Sequence, residues 1–162
     1  MSKAWPVRKL RRDGSLAANA RKVLRVRLAE FDSHGAAVDQ PGDPEALHDL
    51  RIAAKRLRYT LEVFRPEFGD AGVAGLAGVK EIQERLGVLH DRDVRIALVE
   101  SELAAQDLDE LARSGLERML VAERAGRESA YEAFRAGWEE AGRSGLRAGL
   151  GALARKPGKE NR

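Results

Sequence analysis

The stretch LHDLRIAAKRLRYTLEVF, residues 47–64, decides how this chain folds. Leu47, Leu50, Ala54, Leu57, Leu61 and Phe64 recur at steps of three and four, the spacing of one apolar helix face. His48, Arg51, Lys55 and Arg58 recur at the same steps and make a second face, confined to an arc of roughly 80° beside the first. The four heads span about 15 Å of helix axis. Like charges at this spacing repel, so the row lowers helix stability unless something anionic lies against it. A polyanion ligand is the expectation that follows.

Upstream, HGAAVDQPGDP (34–44) reads as a loop, and Asp43-Pro44-Glu45 as a helix start: N-cap, proline at the first helical position, acid in the first turn. Before that loop, Ser15 caps an expected helix running to about Ser33, with Leu16, Ala20, Val23, Leu24, Leu28 and Phe31 inward. Arg21 and Arg25 share one flank of it and are counted with the basic surface. Arg27 falls inside the apolar arc, and two readings stand open. Its stem snorkels outward to water, or its charge is aimed into a polar channel between helices.

Downstream, Arg65-Pro66 ends the second helix, because a residue before proline is driven out of the helical region. Residues 66–75 are glycine-bearing and read as a loop. A third helix is expected over 76–105, with Val79, Ile82, Leu86, Leu89 and Ile96 as its core side. Asp107 or Asp109 then caps a fourth, running to about Glu140, whose stripe includes Leu111, Leu116, Leu120, Ala130, Phe134 and Trp138. No strand-like alternation occurs. The expected fold class is all-α: a basic arm (1–14), an antiparallel four-helix bundle (15–140) and a flexible, glycine-rich tail (141–162) holding at most a short helix.

Composition narrows the function classes. The chain has no cysteine, which excludes disulfides and thiolate metal sites. No apolar run approaches the roughly 18 residues of a membrane span, so no membrane partner is expected. The basic N-terminus MSKAWPVRKLRRDG lacks the apolar core of a secretory signal, and a cytoplasmic location is the default. Charge is segregated. Residues 1–27 hold nine Lys/Arg against one acid, Asp13. The chain as a whole carries +3, so the rest sums to −5, the difference between that total and the +8 of the first segment. Such polarity points to a directed basic surface.

Two motifs carry a family resemblance. In the first, His48 is followed by Arg51, the basic pair Lys55-Arg56, and Arg58. In the second, VKEIQERLGVLHDRDV (79–94), Lys80 precedes Leu86-Gly87 and Asp91-Arg92-Asp93-Val94. Together they resemble the CHAD family, the conserved histidine α-helical domain, over about residues 15–140. The resemblance implies an all-helical protein that binds inorganic polyphosphate and associates with polyphosphate granules. It carries polyphosphate binding onto His48, Arg51, Lys55 and Arg58, with Lys80 a partner. Arg56 matches the motif but points away from the row by helical phase. Full-length members have two bundle repeats. This chain shows one histidine–arginine signature, since His90 is followed three residues on by Asp93. It resembles a half-length version that binds alone or pairs as a homodimer to rebuild the larger cavity.

The chemistry suits such a ligand. Arginine binds phosphate oxygens two at a time, lysine adds a mobile charge, and helical spacing sets successive heads about 5–6 Å apart at the backbone. No cofactor or metal is expected. Asp91 and Asp93 read as partners that hold arginines in place; a metal bridging to phosphate lacks further ligands. Arg124 and Arg127 share a face of the fourth helix and either close the basic channel or pair with Glu123 and Glu128.

Catalysis is not expected. Glu45-x-x-His48 resembles half of a di-iron motif, but position 87, three before His90, is glycine. His48-Asp49 and His90-Asp91 resemble the His-Asp pair of metal-dependent phosphohydrolases, yet Arg51 and Lys55 share His48's face and repel a metal. The stronger alternative is a nucleic-acid-binding module gripping a phosphate backbone. Against it, stacking aromatics are scarce, with Trp5 the one candidate, so nucleic acid is expected only as a weaker competitor.

Overall fold

The computed structural model describes residues 3–104 and 108–155. Those residues form five α-helices and no strand: α1 (Leu16–Ser33), α2 (Pro44–Val63), α3 (Arg65–Leu103), α4 (Glu110–Arg143) and α5 (Leu146–Arg155). A 3₁₀ turn, Gly35–Asp39, occupies the loop between α1 and α2.

Local chemistry starts these helices where expected. Ser15 Oγ accepts from the Ala18 amide at 3.2 Å, and Asp43 Oδ1 accepts from the Ala46 amide at 2.9 Å, with Pro44 at the head of α2. Asp109 caps α4, accepting from the Ala112 amide at 2.7 Å. Asp107, the other candidate, lies outside the described residues.

Two expectations are corrected. Residues 66–75 are helical except at Gly69: α3 begins at Arg65, with Pro66 in its first turn, and is interrupted at Gly69, whose non-helical backbone (φ 57°, ψ −152°) only glycine adopts freely. The glycines beyond it serve packing. A Cβ on Gly75 would sit 2.5 Å from Leu150 Cδ2, and one on Gly78 would sit 2.8 Å from Leu146 Cδ1. The C-terminal segment is likewise not a loose tail. After the Gly145 turn (φ 74°), α5 buries Leu150, Leu153 and Ala154. Residues 156–162 of the expected tail lie outside the described residues.

The core joins Leu24, Leu28 and Phe31 of α1, Leu50, Leu57 and Leu61 of α2, Val79, Ile82, Leu86 and Leu89 of α3, and Leu150 of α5. Successive helices α1 to α4 pack on one another, and α5 packs on α1, α3 and α4. The expected closure of four helices is not what the fold shows: α5 packs on both α1 and α3, in the place a four-helix bundle gives to α4. Helix α4 buries Phe134 alone. Its Trp138 ring lies 5.4 Å from Phe31, and its Tyr131 hydroxyl donates to the Val38 carbonyl at 2.6 Å. No described helix is long and apolar enough to cross a membrane.

Candidate functional site

Helix α2 turns Leu47, Leu50, Ala54, Leu57 and Leu61 fully inward, and this burial fixes the phase of everything else on it. His48, Arg51, Lys55 and Arg58 consequently lie half-buried along the seam where α2 meets α3. The register between the two helices is antiparallel. The His48 ring centroid is 4.8 Å from that of His90, and a Cβ on Gly87 would lie 4.0 Å from Arg51 Nε. The same register, carried one further turn at a time, would set Lys55 level with Gln83 and Arg58 level with Lys80. Gly87 leaves room for the Arg51 guanidinium to lie against α3.

Among the described residues, neither Arg51 nor Lys55 has a carboxylate within ion-pair distance. Lys55 Nζ stands 5.7 Å from the Tyr59 ring centroid, and the Arg58 guanidinium 4.8 Å from the same ring. Arg58 Nε is 3.5 Å from Glu62 Oε1, close enough for attraction but without hydrogen-bond geometry. His48 Nδ1, Arg51 Nε and Gln83 Oε1 are buried without a hydrogen-bond partner. Unsatisfied polar atoms are uncommon in folded proteins; Arg21, Arg85, Arg92 and Arg127 carry others away from the row. Lys80 is exposed and sits 3.7 Å from Glu84, a pairing worth little in water.

Burial lowers the pKa of His48 first, and interaction with His90 and with the Arg51 charge lowers it further, against a smaller opposing pull from Asp49. The free protein therefore favours the neutral imidazole. An anion laid on the seam reverses the second of these causes.

Other candidates are placed elsewhere. Arg25 Nη2 donates to the Ala154 carbonyl at 3.1 Å, in the last turn of α5. Arg21 donates to Ala17 O at 3.0 Å and lines a wide groove with Pro66, Phe68 and Leu153. Both belong to the α1–α5 side, across the core from the α2–α3 seam, and the structure does not bring them to the row. Arg27 neither snorkels nor lines a channel. It binds the fully buried carboxylate of Glu30, which also accepts from Arg56 Nη1 at 2.6 Å.

On α4, Arg124 pairs with Glu100 at 2.7 Å and Arg127 with Asp93, while Glu123 takes Arg92 and Arg95 at 2.7 and 3.1 Å. The paired reading holds, with partners on α3 rather than on α4 itself. Asp93 thus holds an arginine in place, and Asp91 is exposed. No group of three or more His, Asp or Glu side chains able to hold a metal occurs among the described residues.

Two residues at the seam escaped sequence reasoning. His90 and Gln83 belong to α3, and only the antiparallel register shows that they face the row. A cavity of about 450 Å³ lies apart from it, between α3, α4 and α5, lined by Gly75, Gly78 and Leu150 among others. The row residues themselves are part-exposed along the seam.

Fold and seam together define an all-helical domain built around a histidine–arginine signature helix. The CHAD domain family model matches residues 3–100, and the chain belongs to the CHAD domain family. The match takes in the arm, α1, α2 and most of α3, with both sequence motifs and every residue of the row. No curated protein and no solved structure matches the chain.

Proposed function

We propose that this protein binds inorganic polyphosphate, without catalysis, along the α2–α3 seam. The observation that carries the reading is the contrast between the row and its surroundings. Arg85, Arg92, Arg95, Arg124 and Arg127 on α3 and α4 each hold a carboxylate. Arg51 and Lys55, on the signature helix, hold none among the described residues. Cations kept half-buried and unneutralised at helical spacing are a standing electrostatic cost, and a chain of phosphates relieves it.

Family membership supports the same ligand, since CHAD domains as a family bind polyphosphate. Targeting to polyphosphate granules in the cytoplasm follows as part of the reading. Pairing of two copies would place two rows on one particle, and the protein's mass in solution, with and without ligand, tests it.

The experiment is a polyphosphate titration of the wild type and of Arg51→Glu/Lys55→Glu at two salt concentrations. Binding lost in the variant with helix content intact, and weakening with salt in the wild type, is the expected result. Unchanged affinity in the variant would refute the seam. The nucleic-acid reading predicts the opposite order of competition, with DNA or RNA displacing polyphosphate.

A further inference from the structure

The arm before α1 is fastened along it. The Trp5 amide donates to Glu30 Oε1 at 3.3 Å, and Arg27 Nη2 donates to the Trp5 carbonyl at 2.9 Å. Lys22 Nζ donates to the Lys9 carbonyl at 2.8 Å. Asn19 closes a two-way clasp on Arg11, accepting from its amide at 3.1 Å and donating to its carbonyl at 2.7 Å. Trp5 opposite Glu30 and Arg11 opposite Asn19 fix the direction: the arm runs antiparallel to α1 over about 16 Å of its axis. Lys9 is held at a φ of 61°, uncommon for a residue with a side chain, and such strain persists only where the surroundings impose it.

This clamping concentrates charge. Lys3, Arg8, Lys9 and Arg12 are exposed, and none has a carboxylate within ion-pair distance among the described residues. The arm's one acid, Asp13, is taken by Arg11 at 2.8 Å. A solvated basic tail would separate its charges; this one has its backbone fixed by side chains of α1. The arm's place is also set. Glu30, which holds Trp5, holds Arg56 of α2, so Trp5 sits at the α1–α2 crevice. The cationic row lies on the other flank of α2. One helix, about 10 Å across, separates the row from the Trp5 end of the arm, and Arg8, Lys9 and Arg12 lie further along α1.

We infer that the docked arm is a second contact stretch for the same polyphosphate chain, reached only by ligands long enough to cross α2 from the seam. Glu30 and Asn19 are its positioning residues. The inference rests on the reading of the seam given above, and chain length separates the two.

The test combines Lys3→Gln, Arg8→Gln, Lys9→Gln and Arg12→Gln, with helix content checked by circular dichroism. Tripolyphosphate and long-chain polyphosphate are titrated at physiological salt, where exposed charges more than about 8 Å apart are screened, and again at higher salt. Long-chain affinity should fall about tenfold or more, and its salt slope should shrink by about three, the release expected for four lost contacts on a flexible strand. Tripolyphosphate binding should not change.

An unchanged long-chain affinity overturns the inference. Equal losses for both ligands overturn it too, because they would mean a general field rather than a contact. A larger loss for single-stranded DNA than for polyphosphate would make the arm a nucleic-acid contact instead. Failure of the seam reads out separately: Arg51→Glu/Lys55→Glu would then leave tripolyphosphate binding intact, and the two-stretch surface falls with it.

Discussion

His48 and His90 stack across the α2–α3 seam, their ring centroids 4.8 Å apart and their planes tilted by 45°. Both imidazoles are half-buried, and Arg51 lies one turn along on the same strip. Proton binding to His48 is disfavoured there by burial, by His90 and by Arg51.

Polyphosphate binding should therefore take up a proton. With His48 held below its ordinary value in the free protein and raised by a bound anion, affinity should increase as pH falls from about 8 to about 6. The dependence should flatten in His48→Gln. Calorimetry in two buffers of different ionisation enthalpy counts the proton directly.

Stability should move the opposite way. A histidine whose folded pKa is depressed stabilises the fold fully above its unfolded value of about 6.5, and that contribution is lost as pH falls toward the folded value. Ligand-free protein should lose melting temperature on acidification through this window, and His48→Gln should lose less. Thermal denaturation across a pH series checks it.

Gly87 should control access to Arg51. Its Cβ position lies 4.0 Å from Arg51 Nε, an ordinary contact, so Gly87→Ala should fold normally and gain up to about 1 kcal/mol from helix propensity. Gly87→Phe should push the guanidinium off the seam and weaken polyphosphate binding several-fold. Affinity measured beside denaturant midpoints separates the two effects.

Glu30 should be costly to remove. Its carboxylate is wholly buried against Arg27 and Arg56, and breaking a buried pair from one side typically costs about 3–5 kcal/mol. Glu30→Ala should show this in urea unfolding.

Gly75 and Leu150 should be coupled. Gly75→Ala forces a methyl to 2.5 Å from Leu150 Cδ2, so Leu150 must shift toward the cavity it lines, and overpacking should cost the low end of about 1–3 kcal/mol. Leu150→Ala should cost about 2–5 kcal/mol through its cavity. The double variant should be less destabilised than the sum of the two single changes, a result a double-mutant cycle reads directly.

What could be read from sequence was local. The two stripes of α2 are set by spacing within one helix, and the structure buries Leu47, Leu50, Ala54, Leu57 and Leu61 as expected, while Phe64 ends the helix as its C-cap and is only partly buried. The capping residues Ser15, Asp43 and Asp109 act within three positions of themselves and were legible for the same reason. Tertiary choices were not legible. Gly72, Gly75 and Gly78 have the composition of a loop, but in the fold they let Phe68 and α5 approach closely. Without α5, Arg25 had no visible partner, and it was assigned with Arg21 to the basic surface. Asp93 and Glu100, as partners of Arg127 and Arg124, required knowing which helix faces α4. His90 was visible as a residue, but its role depends on the register between α2 and α3.

Helix α4 commits Phe134 alone to the interior, and beyond Leu89 the buried apolar side chain of α3 is Val99. The far end of the α3–α4 pair is thus held chiefly by ion pairs that water can replace. Amide hydrogens there should exchange with solvent through local openings, well before the region around Leu57 and Leu86 releases its own. Exchange should then be slow in the part that carries the seam and faster toward the far end of the α3–α4 pair.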